Sequence, residues 1–171
     1  MPGKRPIIQL KNNQTRLTIW MTIILVMVTV MAGCGSPKSL FIDKEINPNI
    51  DVFGIKLNMP ESEVHELAGS KGEKSMCING YEYDYADKLI NIGFDIDQGT
   101  VRRVTTKNPS TSIFGITPGI DLTGAYAHVK NSGFIKDSSS EFKFNKKNII
   151  LTIISMKGAK ADGITIEINP D

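Results

Sequence analysis

The four residues Val52-Phe53-Gly54-Ile55 return 61 positions later as Ile113-Phe114-Gly115-Ile116, and this recurrence constrains the fold more than any other feature of the chain. Each copy is followed by an apolar position, Met59 or Ile120, and then by a helical pattern, with Val64 and Leu67 in the first and Ala125 and Val129 in the second. Each predicted helix stops at a glycine, Gly69 or Gly133, the residue type suited to a left-handed C-terminal cap. Three strand-like runs come next. Tyr81 to Tyr85, Leu89 to Asp95 and Val101 to Thr106 correspond to Glu141 to Phe144, Ile149 to Ser155 and Gly163 to Ile168, at offsets of about 60, 60 and 62.

Turn residues separate the runs as hairpins require: Ala86-Asp87-Lys88, Asp97-Gln98-Gly99, Asn145-Lys146-Lys147 and Ala161-Asp162-Gly163. Alternation predicts one-sided sheets. Ile90, Ile92, Phe94 and Ile96 point one way and Asn91, Gly93 and Asp95 the other, while Ile164, Ile166 and Ile168 oppose Thr165 and Glu167. The expected fold class is α+β: two tandem repeats, residues 50–109 and 110–171, each a short helical segment followed by a three-stranded antiparallel sheet. Each unit alone is too small to bury much, so the two are expected to join through their sheets or a shared helical layer.

The N-terminal region is of another kind. Lys4, Arg5, Lys11 and Arg16 precede an uncharged apolar run from Leu17 to Val30, and no acidic residue falls among the first 33, which is the pattern of an export signal. The run closes with Met31-Ala32-Gly33-Cys34, where small residues open the backbone to a peptidase just before a thiol. This resembles the lipobox of bacterial lipoproteins, with Met31 where that family usually has leucine. The resemblance implies a diacylglyceryl group on the Cys34 sulfur, cleavage between Gly33 and Cys34, and a mature protein that starts at Cys34. A transmembrane anchor is the competing reading, but Leu17 to Ala32 is about sixteen residues and a span needs roughly 20. A buried core helix fits less well, because no amphipathic alternation or cap frames Trp20 and its neighbours. Residues 34–49, with Gly35-Ser36-Pro37-Lys38-Ser39 and Pro48, read as a lipid-anchored tether.

Without residues 1–33 the charge balance changes sign: four of the 20 basic residues are lost and none of the 18 acidic ones, leaving 16 against 18. Nucleic acid is excluded as a partner, since no mature segment clusters lysine and arginine with interleaved aromatics. Cys77 is the other cysteine and is expected to behave as a small buried hydrophobe.

The mature part resembles the β-lactamase-inhibitor-protein type of fold and is similar to the small lipoprotein of the outer-membrane barrel-assembly machine. The shared pattern is Gly54, Met59, Val64, Leu67 and Gly69, and again Gly115, Ile120, Ala125, Val129 and Gly133. The resemblance implies a binding function, exercised by presenting loops and a sheet face to protein partners.

Catalytic chemistry has few candidates here. His65 and His128 sit at comparable places in the two predicted helices. A zinc site shared between them is conceivable, but no His-Glu-x-x-His spacing occurs, and both are expected on helix surfaces. Asp95-Ile96-Asp97-Gln98-Gly99 has the start of a calcium loop, but position twelve is Thr106, not glutamate, so a strand end and hairpin turn explain it better. Gly115 to Gly119 fits neither a dinucleotide fingerprint nor a P-loop. Tyr81, Tyr83 and Tyr85 alternate with Glu82 and Asp84 to make a tyrosine stripe. The stripe is the candidate partner-binding surface, with packing beneath the helix as the alternative.

The expectation is therefore a non-enzymatic lipoprotein, without cofactor or metal, exported and anchored through Cys34 at the extracytoplasmic face of the membrane, the outer membrane in a Gram-negative cell. It would bind or regulate an envelope or secreted protein. The alternative is a small-ligand carrier or sensor with a cleft between the repeats.

Overall fold

The computed structural model describes residues 37–78 and 80–169. The expected export signal, Gly33 and Cys34 lie outside the described residues. The fold described below belongs to the unit that begins at Leu40. Among the described residues no helix is long and apolar enough to cross a membrane.

The elements in chain order are α1 (Pro37–Phe41), a π-helical turn (Ile42–Ile46) and a 3₁₀ turn (Asn47–Asn49), then β1 (Ile50–Asp51) and α2 (Glu61–Ala68). Four strands follow: β2 (Glu73–Cys77), β3 (Gly80–Tyr85), β4 (Ile90–Asp95) and β5 (Val101–Thr106). After them come β6 (Ser112–Ile113), α3 (Leu122–Asn131) and four more strands, β7 (Ile135–Lys136), β8 (Lys143–Lys146), β9 (Ile149–Ile154) and β10 (Gly163–Ile168). The fold is α+β, with one eight-stranded antiparallel sheet in the order β2-β3-β4-β5-β10-β9-β8-β7 and a separate β1–β6 pair.

The six expected strands form as β3–β5 and β8–β10, joined through β5 and β10 into one sheet, and two further strands, β2 and β7, line its edges. Alternation could not reveal these two. Glu73 to Met76 and both residues of β7 are exposed, so no apolar period marks them. Ile96, expected to continue the apolar face of β4, lies beyond the strand and is 57% exposed.

One face of the sheet carries the core. Tyr83, Ile92, Val104, Ile166, Leu151 and Phe144 stand opposite one another in register across six strands, and all are buried with Val64 and Ala68 of α2 and Ala125 and Val129 of α3. Leu67, expected on the packed face of α2, is 43% exposed, and Ala68 takes its place inside. Ala68 stands four residues after Val64, on the same side of the helix. Phe41, Ile42 and Ile46 also enter the core. The later part of the tether expected over residues 34–49, from Phe41 onward, therefore belongs to the folded part.

The repeated tetrapeptide forms the same turn twice. Phe53 and Gly54 have φ of +53° and +79°, Phe114 and Gly115 have +52° and +73°, and in each turn the fourth residue donates its N–H to the carbonyl of the first, at 2.9 Å from Ile55 to Val52 and 3.0 Å from Ile116 to Ile113. Positive φ at both central residues is the type I′ geometry, which a phenylalanine adopts at a cost. Just before these turns Asp51 pairs with Ser112, and at the centre of the large sheet Val104 pairs with Ile166.

Candidate functional site

Two places bring chemistry-bearing side chains together. The first lies between α2 and β3. Glu61 opens the helix after Pro60, and His65 follows one turn later on the same side. Alternation along β3 turns Tyr81, Tyr83 and Tyr85 toward that helix. The Tyr81 hydroxyl donates to Glu61 Oε2 at 2.5 Å and the Tyr83 hydroxyl to Oε1 at 2.5 Å. His65 Nε2 lies 3.3 Å from Oε1, and its Nδ1 lies 2.9 Å from the Tyr85 hydroxyl. Lys74 Nζ, from β2, stands 3.8 Å from the centre of the Tyr81 ring.

Burial works to raise the Glu61 carboxyl, but the hydrogen bonds from Tyr81, Tyr83 and His65 and the charge of Lys74 outweigh it and hold the group below its ordinary value. Burial, and then the neighbouring carboxylate, push Tyr81 and Tyr83 up to about 12. Tyr85 also rises to about 12, through burial and the proximity of Tyr83 and Glu61. One carboxylate thus accepts three hydrogen bonds. The cluster clasps the helix to the sheet.

Of the two readings of the tyrosine stripe, candidate partner-binding surface or packing beneath the helix, the rings follow the second. Tyr81, Tyr83 and Tyr85 are 9, 7 and 1% exposed, because their face of β3 is the one the helix covers. His65 is likewise part of this network and not simply a surface histidine, whereas His128 is exposed on α3. The two are not brought together, and no group of His, Cys, Asp and Glu among the described residues has the geometry to hold a metal ion. The Asp95 carboxylate accepts the backbone N–H groups of Asp97 and Gln98, each at 2.9 Å, and so closes the hairpin turn. Cys77 ends the edge strand β2 half-buried and outside the core.

The second place is the sheet face turned away from the helices. Ser75, Glu82, Gly93, Arg103, Glu167, Ile150 and Asn145 stand in one row across seven strands, each opposite the next. The adjacent row is Glu73, Asp84, Asn91, Thr105, Thr165, Thr152 and Lys143. These rows floor an open groove of about 670 Å³ centred on β5 and β10. Arg103 lies flat across it. Its guanidinium pairs with Glu82 two strands away and reaches Asn91 at 3.3 Å. Gly93 makes this path available, since a Cβ there would stand 3.2 Å from the Arg103 Cβ and 3.3 Å from its Nε. Thr105 and Thr165 share a hydroxyl hydrogen bond of 2.9 Å at the centre.

Sequence reasoning identified the polarity of this face from Asn91, Thr165 and Glu167, but not the rows, which depend on register between strands far apart in sequence. The face combines charged, amide and hydroxyl groups. Comparison with protein-family models, with curated proteins and with solved structures gives no match.

Proposed function

We propose that the chain is an exported lipoprotein, anchored through lipid on Cys34 at the extracytoplasmic face of the membrane, and that its folded part binds another envelope protein without catalysing a reaction. The observation that carries the binding reading is the open polar face of the sheet, a groove of about 670 Å³ opposite the helix-covered side. A face this broad, with side chains already held by Arg103–Glu82 and Thr105–Thr165 contacts, presents pre-organised partners to an incoming surface. Lipid anchoring would confine that face to the membrane plane and raise its effective concentration near a partner.

The folded part is, in this reading, a tandem repeat of the kind expected for residues 50–109 and 110–171, with each helix followed by an edge strand and then the three expected strands. Four features support it: the two matching type I′ turns, the two helices, and the pairs Asp51–Ser112 and Val104–Ile166. Each pair joins residues at the repeat spacing, 61 and 62 positions apart, as a twofold axis through both pairs requires. The likeness to the β-lactamase-inhibitor-protein type of fold belongs to the same proposal and agrees with binding by a sheet face.

Fatty-acid labelling tests the anchor. Cys34→Ala should abolish labelling and leave an uncut precursor, and unchanged labelling or cleavage would refute the lipobox reading. For the binding face, capture from membranes should recover one envelope protein with the wild-type chain and lose it with Thr105→Arg/Thr165→Arg. A ligand-induced thermal shift with no captured protein would instead favour the small-ligand reading, with the groove as its cleft.

A further inference from the structure

Beneath α3 the surface dips into a hollow of about 290 Å³ lined by Tyr126, Val129, Lys130, Phe134, Lys136 and Phe144. Its walls are apolar. The Tyr126 and Phe144 rings stand 5.8 Å apart, and Phe134 is fixed from behind by an edge-on contact with Phe114 at 5.0 Å. Lys130 and Lys136 are exposed, and neither forms an ion pair among the described residues. Glu141 is the acidic group close enough to act on the Tyr126 phenol, and it too is exposed.

The first helix shows what such a setting holds when complete. There Lys74 of β2 stands in register with Tyr83 of β3, and the Glu61 carboxylate enters among the rings, near enough to feel the lysine charge. Under α3, Lys136 of β7 stands in register with Phe144 of β8. The helix positions 61 residues beyond Glu61 and His65 are Leu122 and Tyr126. The lysine and the aromatic wall recur, but the helix brings no carboxylate. Among the described residues the buried Tyr126 hydroxyl has no hydrogen-bond partner.

We infer that this hollow is a binding site for a small carboxylic acid with an apolar body, an aromatic or short-chain acid, whose carboxylate takes the place that Glu61 fills under the other helix. The apolar body packs between Phe134, Phe144 and Val129, and the carboxylate meets Lys130 and Lys136 at the rim. The volume lies at the small end of ligand sites, which begin at about 300 Å³. The analogy with Glu61 rests on the tandem-repeat reading, whereas the hollow and its lysines do not.

Titrating the full chain in detergent with 4-fluorophenylacetate, followed by ¹⁹F NMR, tests this. Saturable binding of the acid is expected, weaker by at least about fivefold in Lys130→Gln/Lys136→Gln, the loss expected from two partly exposed charge contacts. The uncharged 2-(4-fluorophenyl)ethanol should bind wild type and double variant alike. Absence of saturable acid binding, or equal binding of the acid by wild type and double variant, would overturn the site. Leu122→Glu, which supplies an internal carboxylate, should abolish acid binding. Retained binding in a folded Leu122→Glu chain would overturn the analogy with Glu61, and with it the repeat correspondence at this position, separately from the charge dependence.

Discussion

The two helices cover the same sheet in different ways. Under α2 a carboxylate, an imidazole and three phenols are joined in one hydrogen-bonded cluster, and under α3 the comparable ground is aromatic, with a hollow beside it. In the first, polar groups were buried and then satisfied by one another; in the second, the polar groups are fewer and the packing is left incomplete. One layout of helix and strands therefore serves for a closed clasp at Glu61 and His65 and for an open hollow beside Tyr126 and Val129.

Breaking the clasp should have the largest effect. Glu61→Ala leaves the Tyr81 and Tyr83 hydroxyls without their acceptor, and burial of unsatisfied groups costs about 1–3 kcal/mol each, so urea unfolding should show a loss of about 2–5 kcal/mol. Leu122→Ala, which removes only partly buried apolar surface, should cost about 1–2 kcal/mol. Equal losses would erase the distinction between the two sides.

The paired turns sharpen the comparison at intermediate size. Phe114 is 7% exposed and packs on Phe134, whereas Phe53 is 38% exposed. Phe114→Gly should destabilise by about 2–4 kcal/mol despite relieving the left-handed backbone. Phe53→Gly should be within about 1 kcal/mol of neutral, on the stabilising side, because little burial is lost. Thermal unfolding of the two variants reads this sign difference.

The smallest effect is in the pH dependence. Glu61 is held below its ordinary 4.5, so its contribution is present above 4.5 and is lost as pH falls through the lower folded value. Tyr81 and Tyr83 are raised from 10 to about 12. Their contribution is complete below 10 and is lost as pH rises toward 12. Glu61→Ala should remove the acid limb of the stability profile and reduce the alkaline one, leaving the part that burial sets.

How far the sequence displays all this varies with burial. Strands β4 and β10 were legible because one face is apolar and the other polar. Strands β2 and β7 were not, because an edge strand exposed on both sides has no period to read. Pro37 to Asn49 looked like a connector on account of its Ser, Pro and Lys residues, yet Phe41, Ile42 and Ile46 fix its later part in the core. The Glu61 cluster left a partial signal. Three tyrosines on one strand face need acceptors if that face is covered, but nothing local links them to a glutamate 20 residues earlier. The polar rows of the open face depend on cross-strand register, which is set by the whole sheet.

The central claim, that the open sheet face is where a partner docks, is tested most directly by photo-crosslinking in intact cells from side chains placed at Thr152 and Thr165, with Glu66 and Lys157 as positions off that face. The account predicts that both open-face positions crosslink one and the same envelope protein and that Glu66 and Lys157 do not. Crosslinks formed from Glu66 or Lys157 while Thr152 and Thr165 form none would contradict it.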